Sequence, residues 1–66
     1  MKLWELPTMS PLRVYLQDGT EVEATFHHID GMYSFCTTDG VERQVFHLHF
    51  ATPMVEVNGR WEVAND

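Results

Sequence analysis

Residues 12–35 read LRVYLQDGTEVEATFHHIDGMYSF, and the spacing within this stretch decides the fold class. Leu12, Val14 and Leu16 alternate with Arg13, Tyr15 and Gln17, the period of two that sends one set to each face of a strand. Asp18-Gly19 then turns the chain. Val22, Ala24 and Phe26 resume the alternation against Glu21, Glu23 and Thr25, and Asp30-Gly31 makes a second turn. Alternating runs joined by Asp-Gly pairs predict a tightly bent antiparallel meander.

The flanking sequence extends this pattern. Residues 33–37 predict a third strand, with Tyr33 sharing the core-facing parity of Phe35. Asp39-Gly40 is a third turn, and residues 43–51 predict a fourth strand with Phe46, Leu48 and Phe50 on one face and Val45, His47 and His49 on the other. Pro53 is expected to break that run. Residues 54–57 and 60–63 flank Asn58-Gly59, a favourable two-residue hairpin turn. Residues 1–11 form a lead-in in which Leu3, Trp4 and Leu6 fit one helical turn, limited by Pro7 and Pro11, that lays Trp4 on the body of the domain. Residues 64–66 are expected to fray. Short strands at this spacing without a long helix predict an all-β fold, a small, strongly bent five-stranded antiparallel barrel (SH3-like or Sm-like) with a short N-terminal helical turn, in a single domain covering 1–66. Closure would remove the edges that a small isolated sheet leaves unpaired.

Size and charge narrow the function. A 66-residue chain buries only about 60% of its unfolded surface. Its one cysteine, Cys36, permits no intrachain disulfide and reads as a buried free thiol in a reducing compartment. Self-association is then a natural source of added stability. Ten carboxylates face Lys2, Arg13, Arg43 and Arg60, for a formal net charge of −6. That balance opposes broad, non-specific nucleic-acid binding, which depends on phosphate neutralisation, while leaving room for a narrow site. The opening MKLWELP is interrupted by Glu5 and Pro7 and does not read as a signal peptide. No apolar run approaches a bilayer span, and cytoplasmic residence is the expectation.

The register of these residues resembles that of the Sm/LSm/Hfq (Sm-like) family. Its first motif runs apolar-x-apolar-x-apolar-x-Asp-Gly, then a small residue, an apolar residue, an Asp, a Met-Asn pair and an apolar residue at fixed distances. Leu12, Val14, Leu16 and Asp18-Gly19 fill the first part; Ala24, Phe26, Asp30, Tyr33-Ser34 and Phe35 fill the second. The family's second motif, apolar-Arg/Lys-Gly, is matched at the expected distance by Val57-Asn58-Gly59. Ala24, the small residue, is where a strand bends sharply to close such a barrel. The resemblance implies a homo-oligomeric ring that binds single-stranded RNA, and small, acidic, divergent chains of this kind look like phage or environmental proteins. Carried over by position, the RNA-binding residues are Asp30, Met32, Ser34 and Asn58, with Tyr33 as a substitute stacking ring. Only Asp30 keeps the family's residue type. Ser34 lacks an amide's paired donor and acceptor, and Asn58 lacks the positive charge. The resemblance also places the subunit junction on the fourth and last strands, at Val45, His47, His49, Val55, Val57 and Trp61. A protein-interaction or structural module on the same barrel is the alternative to RNA binding.

Other chemistry has less support. His47 and His49 share a strand face, and with His27 or His28 nearby they are candidates for a three-His metal site. Surface or interface histidines are the simpler reading, so no metal and no cofactor are expected. Cys36 lies mid-strand without a basic neighbour to activate it, and neither a phosphate loop nor a paired-carboxylate pattern is present; the chain reads as a non-enzyme. Trp4 and Trp61 are expected to cover the core or a subunit junction.

Overall fold

The computed structural model describes residues 2–64. It is all-β: a single 3-10 turn (Leu3–Glu5) precedes β1 (Pro11–Leu16), β2 (Glu21–Ile29), β3 (Ser34–Thr38), β4 (Arg43–His47), β5 (Ala51–Val57) and β6 (Arg60–Val63). These form one antiparallel sheet in the order β4-β3-β2-β1-β5-β6. The expected five strands are therefore six, because the Asn58-Gly59 hairpin supplies two separate ladder members. The sheet is also open: among the described residues no ladder joins β4 to β5 or β6, so the expected barrel closure is not present.

Chain connectivity nevertheless forces the open sheet to roll. Laid flat, β4 and β5 would stand four strand spacings apart, about 19 Å at about 4.8 Å per strand. They are joined only by residues 48–50, and the step from His47 to Ala51 spans at most about 15 Å. Both strands also run antiparallel to β1, so the end of β4 and the start of β5 would lie at opposite ends of a flat sheet. Rolling closes the distance, and the right-handed twist that accumulates across the sheet crosses the strands so that the end of β4 meets the start of β5; the molecule measures 27 × 26 × 23 Å. The predicted fourth strand over residues 43–51 is accordingly cut at His47. Residues 48–50 form a turn in which the Phe50 N–H donates to His47 O (2.9 Å) and the Leu48 N–H to Tyr33 O (2.7 Å), which leaves Phe50 56% exposed rather than in the core.

The core fills the inside of the roll. Leu12 and Val14 of β1, Phe26 of β2, Phe35 of β3, Phe46 of β4 and Val55 of β5 are buried, and the Phe35 and Phe46 rings stack at 5.6 Å. Ala24, at the expected bend, is only partly buried against this core. The irregularity in β2 lies further on, between Phe26 and His28, where one extra residue interrupts the register with β3.

Four local expectations are corrected. Pro53 does not end a strand; it is buried within β5, opposite Val14 of β1. Its carbonyl accepts the Ala64 N–H (2.9 Å) on the β6 side, so its missing N–H faces the end of the β5–β6 ladder and leaves the β1 ladder intact. That bond also holds Ala64, which is fully buried; the other residues expected to fray, 65 and 66, lie outside the described residues. At the N-terminus Leu3 rather than Trp4 is the anchor. A single 3-10 turn puts Leu3 and Leu6 on the inward side, and Trp4 points outward under the Lys2 ammonium, 5.1 Å from its ring. Tyr33 falls outside β3 and is 59% exposed.

The turns follow the sequence closely. Asn58 and Gly59 have φ of 53° and 82°, both left-handed as a two-residue hairpin requires, and Val57 pairs directly with Arg60. Nothing lies within 4 Å of where a Gly59 Cβ would stand, so Gly59→Ala should cost only the left-handed backbone penalty, about 1–2 kcal/mol. Phe35→Ala should cost about 3–5 kcal/mol, comparable to the whole stability of a domain this size at about 0.05–0.15 kcal/mol per residue. Urea titrations followed by tryptophan fluorescence measure both. A Phe35→Ala midpoint near the parent's would show that the ring pair does not hold the core.

Candidate functional site

The residues matched to the Sm-like RNA pocket lie in two connections. Asp30, Met32 and Tyr33 occupy the exposed link between β2 and β3, Ser34 opens β3 and is half-buried, and Asn58 sits at the β5–β6 turn. Because β2 and β5 both run antiparallel to β1, these two connections leave the sheet in the same direction. The β2–β3 link is braced at one end, where the Asp30 N–H donates to Ser34 O (2.9 Å). Between these, Met32 is 81% exposed. The Tyr33 ring lies beside that of His47, 6.3 Å between centroids. His47 in turn lies 5.6 Å from Phe50, and Phe50 lies 5.0 Å from His49. An exposed aromatic strip thus runs from the β2–β3 link to the β4–β5 turn, which the sequence pattern concealed by treating residues 48–50 as strand.

The residues expected at a subunit junction divide. Val45 projects from the free edge strand β4 at 55% exposure, and His47 and His49 are exposed at the end of that strand. Val55 is a core residue at 2% exposure, and Val57 packs partly against the same core; β1 and β6 flank β5 on both sides, so neither lies on a free edge. Trp61 is on the other edge strand, β6, half-buried, with the Arg13 guanidinium 4.5 Å above its ring. Arg13 also approaches Glu21 (3.9 Å), which accepts the Tyr15 hydroxyl (2.6 Å); that bond is the main reason the Tyr15 phenol titrates above its usual range. Beside Trp61 a shallow groove of about 370 Å³ crosses the outer face of β1 and β2, lined by Arg13, Ala24, Thr25, Thr38 and Asp39 among others.

A third grouping was not expected. In a regular strand His27 and His28 would point to opposite faces. The extra residue in β2 changes this: the two imidazoles meet edge to face at 4.8 Å, with their Nδ1 atoms 2.6 Å apart. His28 pairs across the ladder with Cys36, which pairs in turn with Val45, and cross-strand partners share a face. Cys36 is 3% exposed. Among the described residues, His27, His28 and Cys36 are the one set of three ligand-type side chains that converge, their ligand atoms all within 4.8 Å of one another. Burial, then the positive charges of Arg43 and His28, lower the pKa of His27 and favour its neutral form. On the far side of His28, Nε2 faces the Asp30 carboxylate at 3.9 Å. The weak three-His combination of His27, His47 and His49 is not assembled: His47 and His49 flank the β4–β5 turn, where His47 Nδ1 accepts the His49 N–H (3.0 Å).

No protein-family model matches the chain, and neither a curated protein nor a solved structure is significantly similar to it. Among the described residues no helix is long and apolar enough to cross a membrane.

Two turn carboxylates give the fold an acid dependence. Asp39 accepts the N–H groups of Glu42 (2.8 Å) and Val41 (2.9 Å), which lower its pKa. Asp18 is lowered by the Thr20 hydroxyl first and then the Thr20 N–H. A depressed carboxylate pKa contributes stability that is present above the unfolded value, about 3.9, and lost as pH falls through the folded value. Thermal unfolding followed by circular dichroism should therefore show a midpoint that falls below about pH 4. Asp39→Asn should flatten that fall, because the amide oxygen still accepts both bonds without titrating. An unchanged acid slope in Asp39→Asn would show that other groups carry it.

Proposed function

We propose that this chain is a self-assembling, Sm-like β module whose copies join edge to edge, β4 of one against β6 of the next, in a homo-oligomeric ring with single-stranded RNA as its ligand. The observation that carries the reading is the pair of free sheet edges, β4 and β6, on a short chain without a disulfide. Unpaired strand backbone is a template for another strand, and natural edges usually block it with Pro, a bulge or inward charge. Neither β4 nor β6 contains Pro, and the register of each with its inner neighbour is continuous; the one inward charge is Glu62 on β6, the register partner of core-facing Val55. Val45 and, beyond the strand, Phe50 add exposed apolar surface beside β4, and Val63 does so on β6. Because the two edges differ, their contact is heterologous, which closes into a ring when the rotation permits and otherwise grows a filament. Rolled sheets joined in this way would complete the barrel-like enclosure that each chain leaves open.

For the ligand, the exposed Tyr33 and its neighbour His47 offer stacking faces beside Asp30. Stacking suits a chain of net charge −6, because it does not depend on phosphate neutralisation. Protein docking on the same strip is the competing reading, favoured by the acidity and by the exposed Val45 and Phe50.

Size-exclusion chromatography with light scattering tests assembly. At micromolar concentration the chain should elute as a multiple of its mass, and Val45→Lys should shift it to a single chain with unchanged circular dichroism. A parent that runs as a single chain would overturn the ring. Fluorescence anisotropy with U-rich and A-rich oligonucleotides at low salt tests the ligand. Tyr33→Ala should weaken binding by about 1–3 kcal/mol, the value of one stacked base. Absence of binding at low salt would remove RNA and leave the protein-docking reading.

A further inference from the structure

We infer that His27, His28 and Cys36 form a mononuclear site for a thiolate- and imidazole-preferring cation of the Zn²⁺ class. The argument starts from the backbone. The register shift between Phe26 and His28 brings two sequence-adjacent imidazoles together, and the cross-strand pairing of His28 with Cys36 sets a thiol beside them. Bulges commonly re-aim side chains at sites of function.

The three ligand atoms lie within reach of one tetrahedral ion after small side-chain rotations. Bonds of about 2.0–2.1 Å to nitrogen and about 2.3 Å to sulfur place two ligand nitrogens about 3.3 Å apart and nitrogen and sulfur about 3.6 Å apart. Here the two Nδ1 atoms are 2.6 Å apart, and all the ligand atoms fall within 4.8 Å of one another. A modest rotation of His28, which is exposed, opens the first distance. As it stands, the 2.6 Å contact is an N–H···N hydrogen bond, with one imidazole donating from Nδ1 and the other accepting. An ion would replace that one proton as the two rings move apart.

The surroundings supply two further features. Cys36 is almost fully buried although it lies on the outer face of β3, so a bond from its sulfur would be shielded from water on most sides. Asp30 lies 3.9 Å from the Nε2 of His28, on the side from which a carboxylate, drawn in to hydrogen-bond distance, orients a metal-bound imidazole through its other nitrogen. Charges also nearly balance. A divalent ion meets one thiolate and the Asp30 carboxylate, and the exposed Arg43 nearby is left to solvent. Ligation displaces the thiol proton to the buffer as the sulfur–metal bond forms. Three protein ligands leave a fourth position for water or an outside donor. Hard, oxygen-preferring ions such as Mg²⁺ do not suit this set.

Cobalt provides the readout. Co²⁺ titrated into the chelator-stripped full chain should bind in equimolar amount, with a thiolate-to-cobalt charge-transfer band and the intense visible bands of tetrahedral cobalt. Zn²⁺ should displace it, and Mg²⁺ should not. Cys36→Ser should abolish the charge-transfer band. His28→Gln, a change at an exposed ring checked by circular dichroism, should weaken binding even if Cys36→Ser fails to fold, and Asp30→Asn should weaken it about 10-fold. Absence of the charge-transfer band in the parent would overturn the site. So would cobalt binding that survives His28→Gln but is lost in His49→Ala, which would place the ion at the β4–β5 turn.

Discussion

One residue more on β2 than on β3, between Phe26 and His28, sets the geometry around which the chain is arranged. A bulge bends its strand and increases the local twist, and β2 is the longest strand and lies near the middle of the sheet. Bending there turns β3 and β4 toward β5, which residues 48–50 require in order to connect the two. It also carries Phe35 and Phe46 over Leu12 and Val14, so that one rolled sheet encloses its own core without a second layer. The lead-in chain fits against the same bend: the Met9 N–H donates to Phe26 O and the Phe26 N–H to Ser10 O, each at 2.8 Å. Backbone groups that β1 does not reach are thereby paired, and Leu3 is brought onto the core.

Much of this fold was legible in the sequence. Alternation over residues 12–26 located β1 and the first half of β2 because one face is buried and the other wet, the condition under which a period of two is visible. All four Asp-Gly or Asn-Gly turns were legible for a backbone reason: Gly19, Gly31, Gly40 and Gly59 each have positive φ, a conformation that other residues adopt at a cost. What alternation could not show was where it is interrupted. Extending the period through residues 48–50 put Phe50 in the core, although connectivity makes those residues a turn. Pro53 read as a breaker because a sequence does not state which side of a strand lacks a partner. Tyr33 read as core by parity with Phe35, yet the β2–β3 link ends one residue later than the pattern implied.

The candidate sites were legible to different degrees for the same reason. Residues matched by register to the Sm-like pocket fall in turns or, for Ser34, at the first strand position after one, and turns are well marked. The histidine–cysteine cluster depends on a bulge, which leaves no trace in a binary pattern; strict alternation even argues against it by assigning His27 and His28 to opposite faces. The one available hint was the His-His dipeptide ahead of a lone Cys, and spacing of that kind becomes meaningful only when the cross-strand register is known.

Edge and cluster are also physically adjacent. Val45 lies on the free strand β4 and is the register partner of Cys36, with its side chain on the same face. A strand added along β4 would therefore lie one position from the thiol, close enough to alter both its access to solvent and the fourth direction open to an ion. Any such influence is reciprocal: if an edge partner changes the affinity of the cluster by some factor, occupancy of the cluster changes edge affinity by the same factor. For a 66-residue chain with a small core, either event adds stability by mass action. The position of Val45 means that the two contributions need not be independent.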